Sequence, residues 1–494
     1  MKLTIISNYI GQLSIAILSF IFIPVYIKYL GVEAYGLIGM FSVLQVALNI
    51  FDAGITPLIS REMACFIAKE RTLEKCRNLL RTEEILCITI GLIFSAILYF
   101  LSDILARNWL NVENLPIETV ITSIRIAALV VMLRAQEDLY KGALIGLEKQ
   151  IHLNVLNVLG ALFRFFGIIL VFKYYAANIE TFYYWQLLSS VLLIFALAAT
   201  TYKQIPGMLL KARFEIDEAI RNIKFSLGSI TYAITAFINN QSDKIIVSKL
   251  FTLTEVGYYT LAVSLSGVLN MIATPIIQAF YPKIVILRSM KNDESAAQQH
   301  HLCCQLISLI CGASAFSLIF YGKTLVGAWT NNIELTINVL PYLRILSISM
   351  LLFAITSPNA NLPYISGTPF VNSQITSISI FLVFIVTLPL SLKFDAIGTA
   401  YGNLIQNLSI LLATPLCFNC YLKSEQKQWF LYDVLKPVII ILVCFYLTSL
   451  FNLSLTPNLS GVLHTVLIAI IIILIAIYFT PSVWNLLTRG RNAK

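Results

Sequence analysis

The chain has 494 residues, of which 58% are hydrophobic and only 12% are charged. Soluble globular proteins carry about 25% charged residues, so this composition excludes an ordinary soluble domain. The formal net charge is +9 at pH 7, and its meaning depends on where the basic residues lie along the chain.

Apolar segments long enough to cross a bilayer, roughly 17–25 residues in a helix, recur along the whole chain. Fourteen are predicted, at 6–27, 35–57, 84–102, 117–136, 151–172, 182–201, 224–246, 257–280, 303–321, 336–356, 371–391, 396–419, 433–451 and 460–480. The loops between them are short, which leaves no room for a soluble catalytic domain. The sequence therefore predicts an all-α integral membrane protein with about 14 transmembrane helices, and no enzymatic activity.

The distribution of Lys and Arg predicts the orientation in the membrane. When basic residues at span ends are assigned to the adjoining loops, 24 of the 34 fall on the side of the N-terminus and 7 on the opposite side. Cytoplasmic loops are enriched in Lys and Arg, so both termini are predicted to be cytoplasmic. The positive charge then reflects topology and contact with anionic membrane lipids, and no nucleic-acid partner is expected.

Cysteine and histidine give weak signals. All nine cysteines lie in predicted spans or on the cytoplasmic side, which argues against a disulfide framework. Cys417 and Cys420 form a CxxC motif, and His300 and His301 are adjacent in a short inner loop. A structural role for the cysteines and a solvated position for the histidines are favoured over metal binding. No metal site and no cofactor are predicted.

A faint internal repeat predicts two lobes. Three identities recur at an offset of 221 residues, where Lys28, Gly36 and Asn49 correspond to Lys249, Gly257 and Asn270. A chance match is the alternative, but repeats of this kind are common in transporters. Two six-helix lobes related by a pseudo-twofold axis are therefore predicted at 1–212 and 213–425. Residues 426–494 would hold the last two spans and a cytoplasmic tail.

A polar stripe marks the second predicted span. Gln45, Asn49, Asp52 and Thr56 follow the spacing i, i+4, i+7 and i+11, which places them on one face of a helix. Lipid cannot satisfy amides and a carboxylate, so this face must turn to the bundle interior or to water. Gln45 and Asn49 either bind substrate or form hydrogen bonds between helices. Asp52 either couples an ion or forms a salt bridge, unless it is merely solvated at the cytoplasmic end.

The seventh predicted span repeats this pattern. Thr231, Thr235, Asn239 and Asp243 are spaced by four residues, and Lys244 follows directly. Asn239 is a candidate substrate ligand. Asp243 and Lys244 are candidates for ion coupling or for a salt bridge, and a purely structural ion pair is an equal alternative.

Three arginines lie inside predicted spans: Arg125, Arg164 and Arg344. Each costs roughly 2.5–3.5 kcal/mol near the bilayer centre. Each is about eight residues from the outer end of its span, or roughly 12 Å deep at the helical rise. Asn157 shares a helix face with Arg164. We expect one cationic zone suited to phosphate groups; three separate pairings with acids or carbonyls are the alternative.

Several segments resemble one family of membrane proteins. They are Asn8-Tyr9 to Pro24, Leu30-Gly31-Val32-Glu33-Ala34-Tyr35-Gly36, Phe51-Asp52-Ala53-Gly54-Ile55, Arg61-Glu62, Gly142 to Gln150, Asp243-Lys244-Ile245-Ile246, Thr254 to Tyr259, Leu261-Ala262 and Asp395 to Tyr401. In order and spacing these resemble the Wzx-type O-antigen and polysaccharide flippases, the polysaccharide transporters of the multidrug/oligosaccharidyl-lipid/polysaccharide superfamily.

The resemblance implies a flippase for an undecaprenyl-diphosphate-linked oligosaccharide, driven by a proton or sodium gradient through alternating access of two lobes. It implies a lipid-linked glycan as substrate and other polysaccharide-assembly proteins as partners. It also implies that cationic residues in the cavity bind sugar acids and diphosphate. We carry this role over to the three arginines because of their shared depth in the predicted spans, since they do not lie in the segments that carry the resemblance.

Two other functions stay open from the sequence. A cation or drug antiporter of the same superfamily would want acidic groups in its cavity, whereas cations outnumber acids in the outer half of the predicted spans. A membrane polysaccharide polymerase would usually carry a long outer loop, and the sequence has none.

Overall fold

A computed structural model describes the backbone of residues 2–368, 370–451 and 456–480. Within these ranges the side chains of residues 2–6, 49, 51–54, 209–210, 218–219, 221–232, 373 and 379 are not described. The described backbone is helical, apart from loops and an isolated parallel bridge between Asn111 and Thr252.

The first half of the chain forms eight helices. They are α1 (Lys2–Leu30), α2 (Val32–Ile67), α3 (Leu73–Ile104), α4 (Ile117–Gly146), α5 (Gln150–Tyr174), α6 (Ile179–Gln204), α7 (Met208–Lys211) and α8 (Ile216–Leu250). A π-helical turn, Leu105–Trp109, extends α3. Side chains cap two of these helices, because Thr72 accepts from the amide of Lys75 and Asn178 from that of Thr181.

The described residues of the second half form ten helices. They are α9 (Leu253–Ser266), α10 (Val268–Ser289), α11 (Asp293–Thr330), α12 (Ile333–Thr356), α13 (Leu362–Ser366), α14 (Phe370–Leu382), α15 (Leu388–Cys420), α16 (Gln426–Gln428), α17 (Lys436–Leu450) and α18 (Leu459–Tyr478). Single π-helical turns, Val383–Thr387 and Trp429–Leu435, precede α15 and α17.

Ten helical stretches in the described part of the chain are long and apolar enough to cross a membrane. They include eleven of the fourteen predicted spans, because the stretch Phe370–Cys420 holds two of them. The other three predicted spans lie in α2, α4 and α8, the helices that carry the polar stripes and Arg125. The prediction of an all-α, multi-span membrane protein is confirmed.

A sharp turn divides α15 between the two spans that it holds. Phe394 and Asp395 leave the helical conformation, and Asp395 has φ 56° and ψ −155°. The chain reverses there, so that the backbone of Gly398 lies against the carbonyl group of Leu390, where a Cβ atom would collide. The predicted break between residues 391 and 396 therefore corresponds to a real reversal.

The chain packs as two compact units, Met1–Gly257 and Tyr258–Lys494. In the first unit α4 packs against α2, α3 and α6. Its core includes Ile59, Met63, Leu79, Leu80 and Leu139, all fully buried. Because α4 lies at the centre of this unit, its faces contact protein and not lipid, and it can therefore carry charged side chains.

In the second unit α11 is the central helix, packed against α10, α12, α17 and α18. His301 on α11 binds Asp433 through Nδ1 and Glu425 through Nε2, the latter at 3.2 Å. Gln305 donates to the other oxygen of Asp433 at 2.7 Å.

His300 and His301 are buried, at 1% and 4% exposure. The prediction of solvated histidines was wrong because α11 begins at Asp293, about two turns before them.

Two glycines hold the start of α2 close to the start of α9 within the first unit. A Cβ atom on Gly36 would collide with the carbonyl oxygen of Leu253, and one on Gly257 with that of Val32. Gly36 and Gly257 differ by 221 residues, and so do Val32 and Leu253, which is the offset of the predicted repeat. The two halves of this contact are therefore equivalent under the repeat.

Candidate functional site

A cavity of about 250 Å³ lies inside the first unit, among α1, α2, α4, α5 and α6. Its polar wall consists of Ser19, Ser42, Gln45, Arg134, Arg164 and Gln186. Aromatic rings form much of the rest, from Tyr26, Phe41, Phe165, Phe182 and Tyr183. A pocket with an apolar body and a few convergent polar groups is typical of a ligand site.

Arg134 extends from α4 and lines this cavity. Its Nη1 donates to Oε1 of Gln45 on α2, and its Nη2 donates to Oε1 of Gln186 on α6 at 3.2 Å. The Nε–H group of Arg134 is buried without a hydrogen-bond partner. The guanidinium is therefore fixed by two neutral amides, and no carboxylate forms a hydrogen bond with it among the described residues.

Arg164 reaches the same cavity from α5. Its Nη2 lies 3.7 Å from Oε1 of Glu137, and its Nε–H is also buried without a hydrogen-bond partner. Trp185 on α6 donates its Nε1–H to the backbone oxygen of Arg164 at 3.0 Å and stacks on Phe163. These contacts fix the backbone of Arg164 while its side chain keeps unused donors.

A third cation lies behind the wall. Lys244 on α8 donates from Nζ to Oγ of Ser42 at 3.5 Å, and Ser42 lines the cavity. The neighbouring Asp243 is buried and accepts from the backbone amide of Lys244 at 2.8 Å. The residues that line the cavity include two guanidinium groups and no carboxylate, which favours an anionic ligand.

The other predicted arginines lie elsewhere. Arg125 donates from Nε to Oγ of Ser102 at 3.0 Å, and its guanidinium carbon lies 4.6 Å from the ring centre of Tyr99. Arg125 does not line this cavity. Arg344 belongs to the second unit, where it is exposed on α12. Of the three predicted arginines, the first unit brings only Arg164 into its cavity.

The predicted polar residues are distributed as follows. Gln45 lines the cavity, whereas Asn157 on α5 and Asn239 on α8 are half-buried and do not. The side chains of Asn49 and Asp52 lie outside the described residues, although α2 passes through both positions. Asp243 and Lys244 lie next to the cavity wall rather than in it.

Arg134 is a charged residue of the cavity that was not predicted from the sequence. The predicted fourth span ended at residue 136, so Arg134 was assigned to the cytoplasmic loop. The helix in fact continues to Gly146, three turns farther. The signal was present in the sequence, because Arg134, Glu137 and Lys141 continue at helical spacing past the apolar run.

Among the described His, Cys, Asp and Glu residues no group of three is placed to hold a metal ion. The chemistry of the site therefore lies in its guanidinium and amide donors and in its aromatic wall. Guanidinium and amide groups in such an arrangement can bind and orient an anion through charge-assisted hydrogen bonds.

Solved structures of transporters share this fold. The lipid II flippase MurJ in an inward closed conformation matches with a TM-score of 0.76 and 16% identity, over 96% of this chain and 98% of that one. A multidrug resistance MATE family transporter of the MOP superfamily, in its inward-facing conformation, matches with a TM-score of 0.67 and 16% identity, over 86% and 99%. Among curated proteins, none matches significantly.

At such low identity these structures establish the fold, that of MurJ and the MATE transporters. Family membership comes from the sequence itself, since residues 4–287, more than half of the chain, match the family described as "Polysaccharide biosynthesis protein". The match includes all the elements that form the cavity of the first unit. The chain belongs to the polysaccharide biosynthesis protein family.

Proposed function

We propose that this protein is a flippase that moves an undecaprenyl-diphosphate-linked oligosaccharide, an O-antigen or capsule repeat unit, across the bacterial inner membrane. The observation that carries the proposal is the pair Arg134 and Arg164 in one cavity wall, each with a buried Nε–H that has no hydrogen-bond partner. Phosphate oxygens fit these donors, because a guanidinium binds phosphate through two parallel hydrogen bonds.

The rest of the cavity suits the glycan side of such a substrate. Aromatic faces provide apolar area with low conformational freedom, and Gln45 and Gln186 provide amide groups that hydroxyls can share. The polyprenyl chain would stay in the bilayer, where the exposed faces of the helices are apolar. Membership in a polysaccharide biosynthesis family and a fold shared with a lipid II flippase support the same substrate class.

The energy source that we propose is an ion gradient, of protons or sodium, acting through alternating access of two lobes at 1–212 and 213–425, with 426–494 as an appendage. Asp52 is the proposed coupling residue, and Asp243 and Lys244 are proposed to contribute to coupling or to a salt bridge. Substrate-binding roles for Arg125, Arg344, Asn49, Asn157 and Asn239 stay predictions. Other polysaccharide-assembly proteins are the expected partners.

The main rival is a cation or drug antiporter. A site for cations needs uncompensated carboxylates, whereas the wall of this cavity holds two guanidinium groups and no carboxylate among its lining residues. A polymerase would need catalytic groups as well as anion-binding ones, and relatives of this fold are transporters. The arginine pair therefore favours an exporter of an anionic lipid-linked glycan.

Alanine substitution of Arg134 or Arg164 tests the proposal. Losing a charge-assisted contact to the diphosphate should reduce export at least about tenfold. The measurement is surface glycan on cells that lack the chromosomal copy, with accumulated lipid-linked precursor as a second readout and membrane-protein level as the check on folding.

The matched control is Arg107→Ala. Arg107 is exposed and paired with Asp103 and Glu118, away from the cavity. We expect this variant to keep its export activity. Normal surface glycan in the double variant R134A/R164A, at a normal protein level, would overturn the proposed function.

A further inference from the structure

Glu137 is a buried carboxylate beside the cavity, and its surroundings are unusual. It is 3% exposed, and its Oε1 has no hydrogen-bond partner. Its cationic neighbours are Arg164 Nη2 at 3.7 Å and Lys141 Nζ at 3.6 Å. Both distances allow Coulomb attraction but exceed hydrogen-bond length. A buried carboxylate is normally both paired and hydrogen-bonded. The charge of Glu137 is balanced by its cationic neighbours, but no hydrogen bond fixes its Oε1 in place.

The arginines of this cluster also have hydrogen-bond donors without a partner. A guanidinium has five N–H donors, and the Nε–H groups of Arg164 and Arg134 have no hydrogen-bond partner. Arg134 lies one helical turn before Glu137 on α4, so the carboxylate and both guanidinium groups belong to one cluster. An anion that entered the cavity could form the short bonds that Glu137 does not form.

We propose that Glu137 is an internal counterion of Arg164. The anionic group of the substrate displaces Glu137 from Arg164, and the ion pair forms again when the substrate leaves. This inference rests on the proposed function, since it concerns the same arginines and takes a diphosphate as the ligand. Binding then exchanges a long ion pair for short bidentate bonds. The affinity is the difference between the two, and not the full strength of the new bonds.

Such an exchange serves transport, because a carrier must release what it binds. Two half-buried guanidinium groups without a counterion would hold a diphosphate tightly and slow its release. A carboxylate that competes for Arg164 weakens the bound state, and it stabilises the empty cavity against charge repulsion between Arg134 and Arg164. Sites that pass charged ligands need binding that is favourable enough for entry and weak enough for exit.

Asp138 provides the matched control on the same helix. Its carboxylate bonds Lys141 Nζ at 2.8 Å, and it is 29% exposed. Glu137 and Asp138 share Lys141 as a neighbour, but Glu137 alone also forms the ion pair with Arg164. Asp138→Asn therefore removes one negative charge and one Lys141 contact without touching the proposed exchange.

The experiment measures binding of inorganic pyrophosphate to purified full-length protein in detergent, by calorimetry, for the wild type, E137Q, D138N and R134A/R164A. Close charge pairs in proteins couple strongly enough to change affinity at least about tenfold. We expect E137Q to bind pyrophosphate about tenfold more tightly, with a correspondingly slower dissociation. D138N should stay within about twofold of the wild type, and R134A/R164A should lose binding.

The outcomes separate this inference from the proposed function. Unchanged or weaker pyrophosphate binding by E137Q, with wild-type binding that needs the arginines, overturns the counterion role and leaves the anion site standing. Wild-type binding that is equal to that of R134A/R164A overturns both. A merely misfolded E137Q protein would bind more weakly, so tighter binding cannot arise from loss of structure. In cells, E137Q should export less glycan despite its higher affinity.

Discussion

Single residues set the charge of the cavity in the first unit, and only some of these residues could be predicted from the sequence. Arg164 was predicted because an arginine within an apolar run needs a partner for its charge, either an anionic ligand or a paired acid or carbonyl group. Arg134 and Glu137 were not, because they lie past the end of the apolar run, where a charge looks like a loop residue. Their burial depends on how far α4 continues among α2, α3 and α6, which is a property of packing that hydropathy does not report.

Asp52 carries the prediction about coupling at this scale. Its backbone lies on α2 two turns after Gln45, which lines the cavity. The sequence spacing predicts that the two side chains share a helix face. A carboxylate on an inward face can take up a proton or bind sodium as the substrate site changes. We expect Asp52→Asn to abolish the dependence of transport on an imposed proton or sodium gradient in proteoliposomes.

The control for that experiment is Glu118→Gln. Glu118 is exposed at the start of α4 and paired with Arg107, so its loss should leave the gradient dependence intact. An Asp52→Asn protein whose transport responds to the gradient as the wild type does would remove Asp52 from the mechanism.

At the scale of elements, the sequence predicted where helices occur but not how closely they approach. All fourteen predicted spans lie in helices, and the break at Asp395 falls between two of them. Hydropathy did not predict where the helices end, because α4 and α11 continue well past their apolar parts. The repeat offset of 221 residues pointed to Gly36 and Gly257 as equivalent positions, but not to the contact between their helices.

Gly36→Ala tests whether this close approach is required. A Cβ atom at Gly36 would meet the backbone carbonyl of Leu253, which cannot rotate away as a side chain could. Inserting volume into such a contact costs about 1–3 kcal/mol. We expect a lower unfolding temperature in a thermal-shift assay in detergent, with a reduced yield of monodisperse protein.

Gly312→Ala is the comparison variant. A Cβ atom there would meet the flexible end of Ile441 at 3.2 Å, which can adjust by a small rotation. This variant should unfold near the wild-type temperature. Equal unfolding temperatures for the two variants would mean that α2 and α9 can separate at little cost.

For the whole molecule, composition alone was enough to predict the class. A chain with 58% hydrophobic and 12% charged residues has to place most of its helices in lipid, and short loops leave the helices as the only place for a site. The substrate class needed more, since the same fold occurs in MATE transporters and in a lipid II flippase. The proposal of an anionic lipid-linked substrate rests on the family match and on the charge of the cavity wall, which comes from two arginines on different helices.

The topology of the whole chain gives the last prediction. The 24-to-7 distribution of Lys and Arg predicts both termini in the cytoplasm, which requires an even number of crossings. A green fluorescent protein fused after Lys494 should therefore fluoresce, and alkaline phosphatase fused at the same place should be inactive. Fusions after Leu450, at the end of α17, should show the opposite pattern, because one crossing fewer leaves the reporter outside. Active phosphatase after Lys494 would contradict the even number of crossings and the cytoplasmic C-terminus.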